Sequence, residues 1–326
     1  MDRSLTISIF IRFVTTFLIV TLICFMLPRL TPGDPMISLL GDHYYMLPQE
    51  KLDEMYESYG LNRSLPEQYL LYLKSIFTFN LGYSTTIGLP VSDLVLSYAK
   101  VSAMMMIPAL IIGAFTGLVT GIMAGSKKRS HVDKIMTPFS VMIYSIPTFL
   151  IGMIFLTVFA FHLGWFPLGH LTSGSLSSNS GSLTDVIYHL TLPVAVLTIS
   201  ILAGYHILIR NISAQIRDEY YVKAKQAHGF SDTYIREKVI SKNVSTQFAS
   251  IFAMSLGGVI TGAMIIEVVF SLNGMGQLMY RAITGNDYIL IQGVFVFVIL
   301  ITLVLNLIAE LLYGILDPRV ADGGMK

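Results

Sequence analysis

Six apolar runs, each near or above the roughly 20 residues a helix needs to cross a bilayer, leave this chain little choice of fold. They lie roughly at Leu5–Leu27, Tyr98–Gly125, Ile135–Leu163, Val186–Ile209, Thr246–Phe270 and Ile289–Leu316. Hydrocarbon offers the backbone no hydrogen-bond partner, so each run is read as a helix that satisfies its own amides. Charged residues make up 13% of the 326, against about 25% in a soluble domain. The expected fold class is an all-α integral membrane protein with six transmembrane helices. The first run is too long for the apolar part of a signal peptide, and Pro28-Arg29-Leu30 is not a small-residue cleavage site, so it is read as a retained helix. A single cysteine, Cys24, allows neither an intrachain disulfide nor a cysteine metal cluster.

Lys and Arg sort the loops by side. With six spans, the N-terminus, the 2–3 and 4–5 loops and the C-terminus share one face. That face carries 15 of the 21 Lys and Arg, so both termini are expected in the cytoplasm. The region 30–97 is then external; it holds eight Asp and Glu against three Lys and Arg. Leu52, Met55, Tyr56 and Tyr59 recur there at helical spacing before Gly60, and Pro66 opens a second helical run to Phe79. Together they predict a small helical cap. The Ser/Gly-rich stretch Leu171–Leu183 reads as an external loop. The chain thus divides into an N-terminal helix at 1–29, the external region 30–97, the membrane domain 98–316, and a cytoplasmic tail at 317–326.

One polar segment interrupts the membrane domain. Residues 218–243, DEYYVKAKQAHGFSDTYIREKVISKN, cannot enter hydrocarbon and must lie on the cytoplasmic face. Tyr221, Ala224 and Lys225 share a helical face, as do Ala224, Ala227 and His228, and the two small alanines leave room for a close neighbour. Gly229 ends this helix in the manner of a C′ glycine, and Ser231 caps a second helix starting near Asp232. A helix–turn–helix of this kind, set between two spans, can dock a soluble partner and pass force to them.

Catalytic patterns are lacking. There is no P-loop, no H-E-x-x-H and no G-x-S-x-G. His43, His131, His162, His170, His189, His206 and His228 show no ligand spacing within one helix and are read as structural, so no metal and no cofactor is expected. Glu267 and Glu310 fall near the ends of the fifth and sixth runs, where a carboxylate can reach an interface or a helix partner. Pro108, Pro147 and Pro193 fall inside spans, and Gly257, Gly258 and Gly262 crowd the fifth; all suit kinks and close packing. Asn273, Gly274 and Gly276 predict a tight turn after Glu267 and Phe270. With Glu267, these residues are the candidate outer mouth of a pathway.

At these residues the chain resembles the permease subunits of ABC importers. YVKAKQAHG (Tyr221–Gly229) with Ser231 and Asn243 is similar to that family's EAA-type coupling motif. LTPGDP (Leu30–Pro35), LGYS (Leu81–Ser84), IPTFLIGM (Ile146–Met153), LGWFPLGH (Leu163–His170), HLTLP (His189–Pro193), EVVFSLNGMG (Glu267–Gly276), AITGNDY (Ala282–Tyr288), Gln292-Gly293 and DPR (Asp317–Arg319) resemble the B-type dipeptide, oligopeptide and nickel permeases. The chain departs from them at Lys225-Gln226-Ala227-His228, where Ala-Arg-Ala-Lys is usual. It departs also at Val239, Gln247 and Asn273, where His, Pro and Pro are usual.

The resemblance implies a type I ABC importer permease without its own ATPase motif, multi-pass in the cell (inner or cytoplasmic) membrane. Its partners would be a second, different permease, two cytoplasmic ATP-binding subunits, an external substrate-binding protein and membrane lipid, with no nucleic acid. Tyr221, Ala224, Lys225, Ala227, His228, Gly229 and Ser231 would form the ATPase-coupling surface. Di- or oligopeptides are the expected substrates, with nickel or a metal–chelator complex as the alternative. A secondary transporter or channel would need ion or substrate groups near the membrane midplane, which are few here. A membrane enzyme would need a nucleophile–base or metal constellation.

Overall fold

The computed structural model describes residues 3–30, 36–37, 41–58, 62–172, 182–256 and 263–316, and every regular element among them is helical. The expectations placed on Tyr59, Gly60, Gly257, Gly258, Gly262, Asp317–Arg319 and most of the Ser/Gly loop lie outside the described residues, as does the side chain of Glu310. In chain order the helices are α1 (Arg3–Leu30), α2 (Gln49–Ser58), α3 (Leu65–Phe77), α4 (Val91–Ser126), α5 (His131–Ser145), α6 (Thr148–Phe155), α7 (Leu183–Asp218), α8 (Tyr220–Ala227), α9 (Asp232–Tyr234), α10 (Ser241–Leu256), α11 (Met264–Val269), α12 (Met275–Thr284) and α13 (Tyr288–Leu316). Among the described residues, α4, α7 and the Tyr288–Ala309 part of α13 are long and apolar enough to cross a membrane. Phe10–Met26 of α1 is a shorter apolar stretch.

The third predicted run is not one straight helix. It splits into His131–Ser145 and Thr148–His162, bent by 99°. Pro147 is the cause. A proline pushes the residue before it out of the helical region, and Ile146 is extended at φ −95°, ψ 129°. Pro108 and Pro193, by contrast, sit inside unbroken helices. Beyond Phe155 the second half widens into a π-helical turn over Leu156–His162.

The chain forms two compact units, and α4 passes from one into the other after Val101. The first comprises Met1–Val101 and Asn273–Leu307. Here α3 lies along α1: Phe17, Cys24, Ile76 and Val296 form a buried cluster. Phe25 meets Tyr69 and Tyr72 with ring centroids 5.3 and 5.6 Å apart. The Tyr69 hydroxyl lies 2.9 Å from Thr21 Oγ1. The start of α3 is fixed by a capping box. The Glu67 carboxylate accepts the Ser64 hydroxyl at 2.9 Å and its N–H at 3.1 Å, and these bonds hold the Glu67 carboxyl below its usual range.

Two motifs far apart in sequence meet in this unit. Asp287, fully buried, accepts from Ser84 Oγ at 2.7 Å, Thr86 N at 3.0 Å and Thr86 Oγ1 at 2.9 Å, while its other oxygen caps α13 through Leu290 N at 3.0 Å. Gln292 Nε2 donates to Cys24 O at 3.2 Å. Gly293 leaves space that a Cβ would take from the Val91 side chain. LGYS, AITGNDY and Gln292-Gly293 therefore form one packed junction.

The second unit comprises Ser102–Leu272 and Ile308–Lys326. Here α5 packs along α7, and α4 meets α7 along a seam with four glycines at four-residue spacing on α4. A Cβ on Gly113 would lie 2.9 Å from Ile201 Cβ, on Gly117 2.5 Å from Tyr205 Cβ, on Gly121 2.8 Å from Ile209 Cβ and on Gly125 2.6 Å from Ser213 Cβ. Small residues at this spacing let two backbones approach closely. Elsewhere in the unit, His189 Nδ1 lies 2.9 Å from His170 O, which joins LGWFPLGH to HLTLP.

Candidate functional site

The polar segment 218–243 folds as the helix–turn–helix its sequence predicts, with one difference. α7 ends abruptly: Glu219 is extended at φ −66°, ψ 146°, and α8 starts again at Tyr220. His228 N donates to Ala224 O at 3.0 Å and Phe230 N to Lys225 O at 3.2 Å, which closes the end of α8. Between them Gly229 takes φ +84°, a left-handed conformation that glycine adopts without a Cβ penalty. Ser231 then caps α9, its Oγ accepting from Tyr234 N at 3.3 Å. The difference lies beyond that cap. α9 is not a separate short helix; it passes through a π-helical turn, Ile235–Ile240, straight into α10. The second arm is thus continuous with the helix that opens the fifth apolar run.

Burial divides the segment into two faces. Val222, Ile235, Val239 and Ile240 are buried and seat it on its unit. Tyr221, Ala224, Ala227, His228, Gly229 and Ser231 are exposed. Lys225, half-buried, lies with its Nζ 5.2 Å from the centre of the Phe230 ring, which stacks on Tyr234 at 4.9 Å. All seven predicted coupling residues therefore fall within one ordered stretch, Tyr221–Ser231. Sequence reasoning missed Val222 and the Phe230–Tyr234 stack, although an aromatic pair at i, i+4 was a readable signal. It also missed the exposed ion pair of Lys127 Nζ with Asp232 Oδ2 at 3.2 Å, which links the α4–α5 turn to α9. Arg217 donates to Gly125 O at 2.8 Å, tying the end of α7 to the end of α4.

Of the second candidate set, Glu267 belongs to the second unit and Asn273, Gly274 and Gly276 to the first. Glu267 is fully buried and accepts from Ser102 Oγ at 2.5 Å, which holds α11 on α4. The predicted tight turn of Asn273, Gly274 and Gly276 takes another form. Gly274 is the N-cap of α12 with φ −96°, ψ 179°, and Gly276 lies in the first turn of that helix. Neither needs positive φ. The left-handed residue is Ser271 at φ +50°, where Leu272 N closes the end of α11 on Glu267 O at 2.8 Å. Asn273 Oδ1 accepts from Arg281 at 3.1 Å, and the same guanidinium reaches Tyr98 Oη at 3.1 Å.

Among the described residues, three membrane-length helices thus accompany one exposed polar helix–turn–helix. The chain belongs to the binding-protein-dependent transport system inner membrane component family, which matches residues 117–322. It is 29% identical over 304 residues to a putative peptide permease protein of Brucella suis, covering 93% of this chain and 94% of that one. It is 28% identical over 302 residues to the oligopeptide transport system permease protein AppB of Bacillus subtilis (92% and 94%). With the oligopeptide transport system permease protein OppB of Haemophilus influenzae it shares 30% over 307 residues (94% and 95%).

Proposed function

We propose that this chain is the permease subunit that forms half of the substrate pathway in an ATP-driven peptide importer, with Tyr221–Ser231 as the surface that docks a cytoplasmic ATPase. The observation that carries the reading is the division of the segment into a buried anchoring face and an exposed face. The exposed side presents Tyr221 at 45%, Phe230 at 44% and Tyr234 at 41% exposure beside Lys225 and His228. Exposed aromatic residues of this kind are enriched at protein interfaces relative to the rest of the surface. The assembly pairs this chain with a different permease, two ATP-binding subunits and an external binding protein. ATP hydrolysis belongs to those subunits, and closure of the ATPases moves the segment to switch the pathway between its inward- and outward-facing forms. The peptide substrate is supported by the names of the relatives. Co-purification of the full chain with its ATPase tests the docking; a complex that contains no ATPase ends it. Uptake of a labelled tripeptide against nickel then separates the two substrate classes.

The proposed topology has six spans, both termini in the cytoplasm and the 30–97 region outside, and it rests on the distribution of Lys and Arg. Cysteines placed in Leu171–Leu183 are expected to react with an impermeant maleimide from outside, and cysteines near the C-terminus are not. The reverse labelling pattern would move segment 218–243 to the wrong face for an ATPase.

Asn273, Gly274 and Gly276 are proposed to shape the external entrance or to dock the binding protein, with Glu267 fixing α11 within its own unit. Leucine at Gly274 or Gly276 is expected to reduce uptake several-fold while ATPase association persists, with protein level measured in parallel. Undiminished uptake would reduce this stretch to a connection between helices.

A further inference from the structure

A polar network in the second unit takes no part in the docking just proposed. His206 in α7 is fully buried. Its Nδ1 lies 3.0 Å from Thr120 Oγ1 in α4, and its Nε2 lies 3.1 Å from Thr137 Oγ1 in α5. Thr137 donates to Asp133 Oδ1 at 2.9 Å, and Arg210, one turn beyond His206, donates to the same oxygen at 3.0 Å. Asp133 stands in the first turn of α5, just after Ser130, whose Oγ caps that helix by accepting from Asp133 N at 3.1 Å. Five side chains thus join three helices.

We infer that Asp133, Arg210 and His206 are positioning residues for transport, clamping α4, α5 and α7 so that a displacement of segment 220–231 is delivered to all three helices together. Three observations converge on this role. The segment reaches the network from both sides: α7 runs from Arg210 to Asp218 and into α8, and Asp232 pairs with Lys127 at the turn that leads into α5. The glycine seam holds α4 to α7, and α5 packs along α7 in its own right; the network is the polar tie that reaches all three helices. Finally, a part-buried polar cluster of this kind is a weak source of stability, since apolar packing of equal volume often does as well. Its value lies in specifying one arrangement.

The inference rests on the reading that segment 220–231 docks the ATPase, and its test separates the two. The assembled importer, with both permeases, the ATPases and the binding protein, is reconstituted in liposomes. Labelled tripeptide uptake, ATP hydrolysis and ATPase content are measured on the same preparation. Asp133→Asn and Arg210→Gln should each keep the ATPase bound and hydrolysing, while uptake per ATP falls about tenfold, within the range of single-site couplings. The double variant Asp133→Asn/Arg210→Gln, which restores a neutral hydrogen-bonded pair, should recover part of that ratio. Thr137→Val and Thr120→Val remove one hydroxyl each with little change in shape; they should lower the same ratio and decide the matter if the charge variants fail to accumulate. An unchanged ratio in these variants overturns the clamp. So does a parallel loss of uptake and ATPase content, which marks a merely structural role. An unaltered chain that retains no ATPase would defeat the docking proposal instead.

Discussion

Valine at Gly229 is expected to leave the chain inserted in the membrane while lowering ATPase association and transport by about tenfold or more. The physical basis is narrow enough to test. Gly229 sits at φ +84°, and nothing lies within 4 Å of the position a Cβ would take. Space is therefore not the obstacle; the backbone is. An L-residue in the left-handed region costs roughly 1–2 kcal/mol, and a β-branched one more. Relieving that strain rotates α9 relative to α8 and disturbs the packing of Lys225 against the Phe230–Tyr234 stack. The loss should be graded by side chain. Asn, which tolerates this conformation, should be nearly silent, Ala intermediate and Val severe. Binding of a tagged ATPase to the solubilised permease reads the series directly. Equal binding by all three variants would show that the turn does not orient the docking surface.

A large loss of stability is expected at Gly117, in the middle of the α4–α7 seam. A Cβ there would stand 2.5 Å from Tyr205 Cβ, 3.0 Å from Leu202 O and 3.1 Å from His206 N. Two of these are backbone atoms, which cannot turn aside as a flexible side chain can. Gly117→Val must therefore push α4 and α7 apart along a seam that Gly113, Gly121 and Gly125 keep close on either side. Overpacking of this kind costs roughly 1–3 kcal/mol or more, and here it would also part Thr120 from His206. The variant should accumulate poorly and lose several degrees of thermal stability in detergent. Gly204→Ala is the control in the same unit. Its Cβ would meet only the Tyr144 ring at 3.5 Å, an ordinary contact, so its stability should stay close to that of the unaltered chain. Equal melting of the Gly117→Val and unaltered proteins would mean that the α4–α7 seam is looser than these distances require.

The local features of this protein were legible because they rest on local causes. The ends of α8 and α9 are set by Gly229 and Ser231, since the left-handed turn and the N-cap are properties of a few consecutive residues. The start of α3 is set by Ser64, Pro66 and Glu67 for the same reason. Helical character over the apolar runs is imposed by the need to satisfy each backbone within its own segment. What the one-dimensional reading could not supply is partnership between distant residues. Pro147 was visible, but the residue alone does not say whether a proline stays inside a continuous helix, as Pro108 and Pro193 do, or breaks it by 99°. Gly274 and Gly276 read as a tight turn because glycine permits positive φ; in the fold they begin a helix, and Ser271 carries the strain instead. The histidines looked alike, yet only the arrangement of α4, α5 and α7 gives His206 its partners on both ring nitrogens. The glycines of α4 were spaced four apart in plain view, but their purpose depended on which helix would lie against them. Hydrogen bonds within a turn and the solvation of a backbone act over a few residues and are encoded there. The pairing of Ser84 with Asp287, of Lys127 with Asp232 and of Asp133 with Arg210 arises only when packing brings separate segments together, and tertiary structure alone decides it.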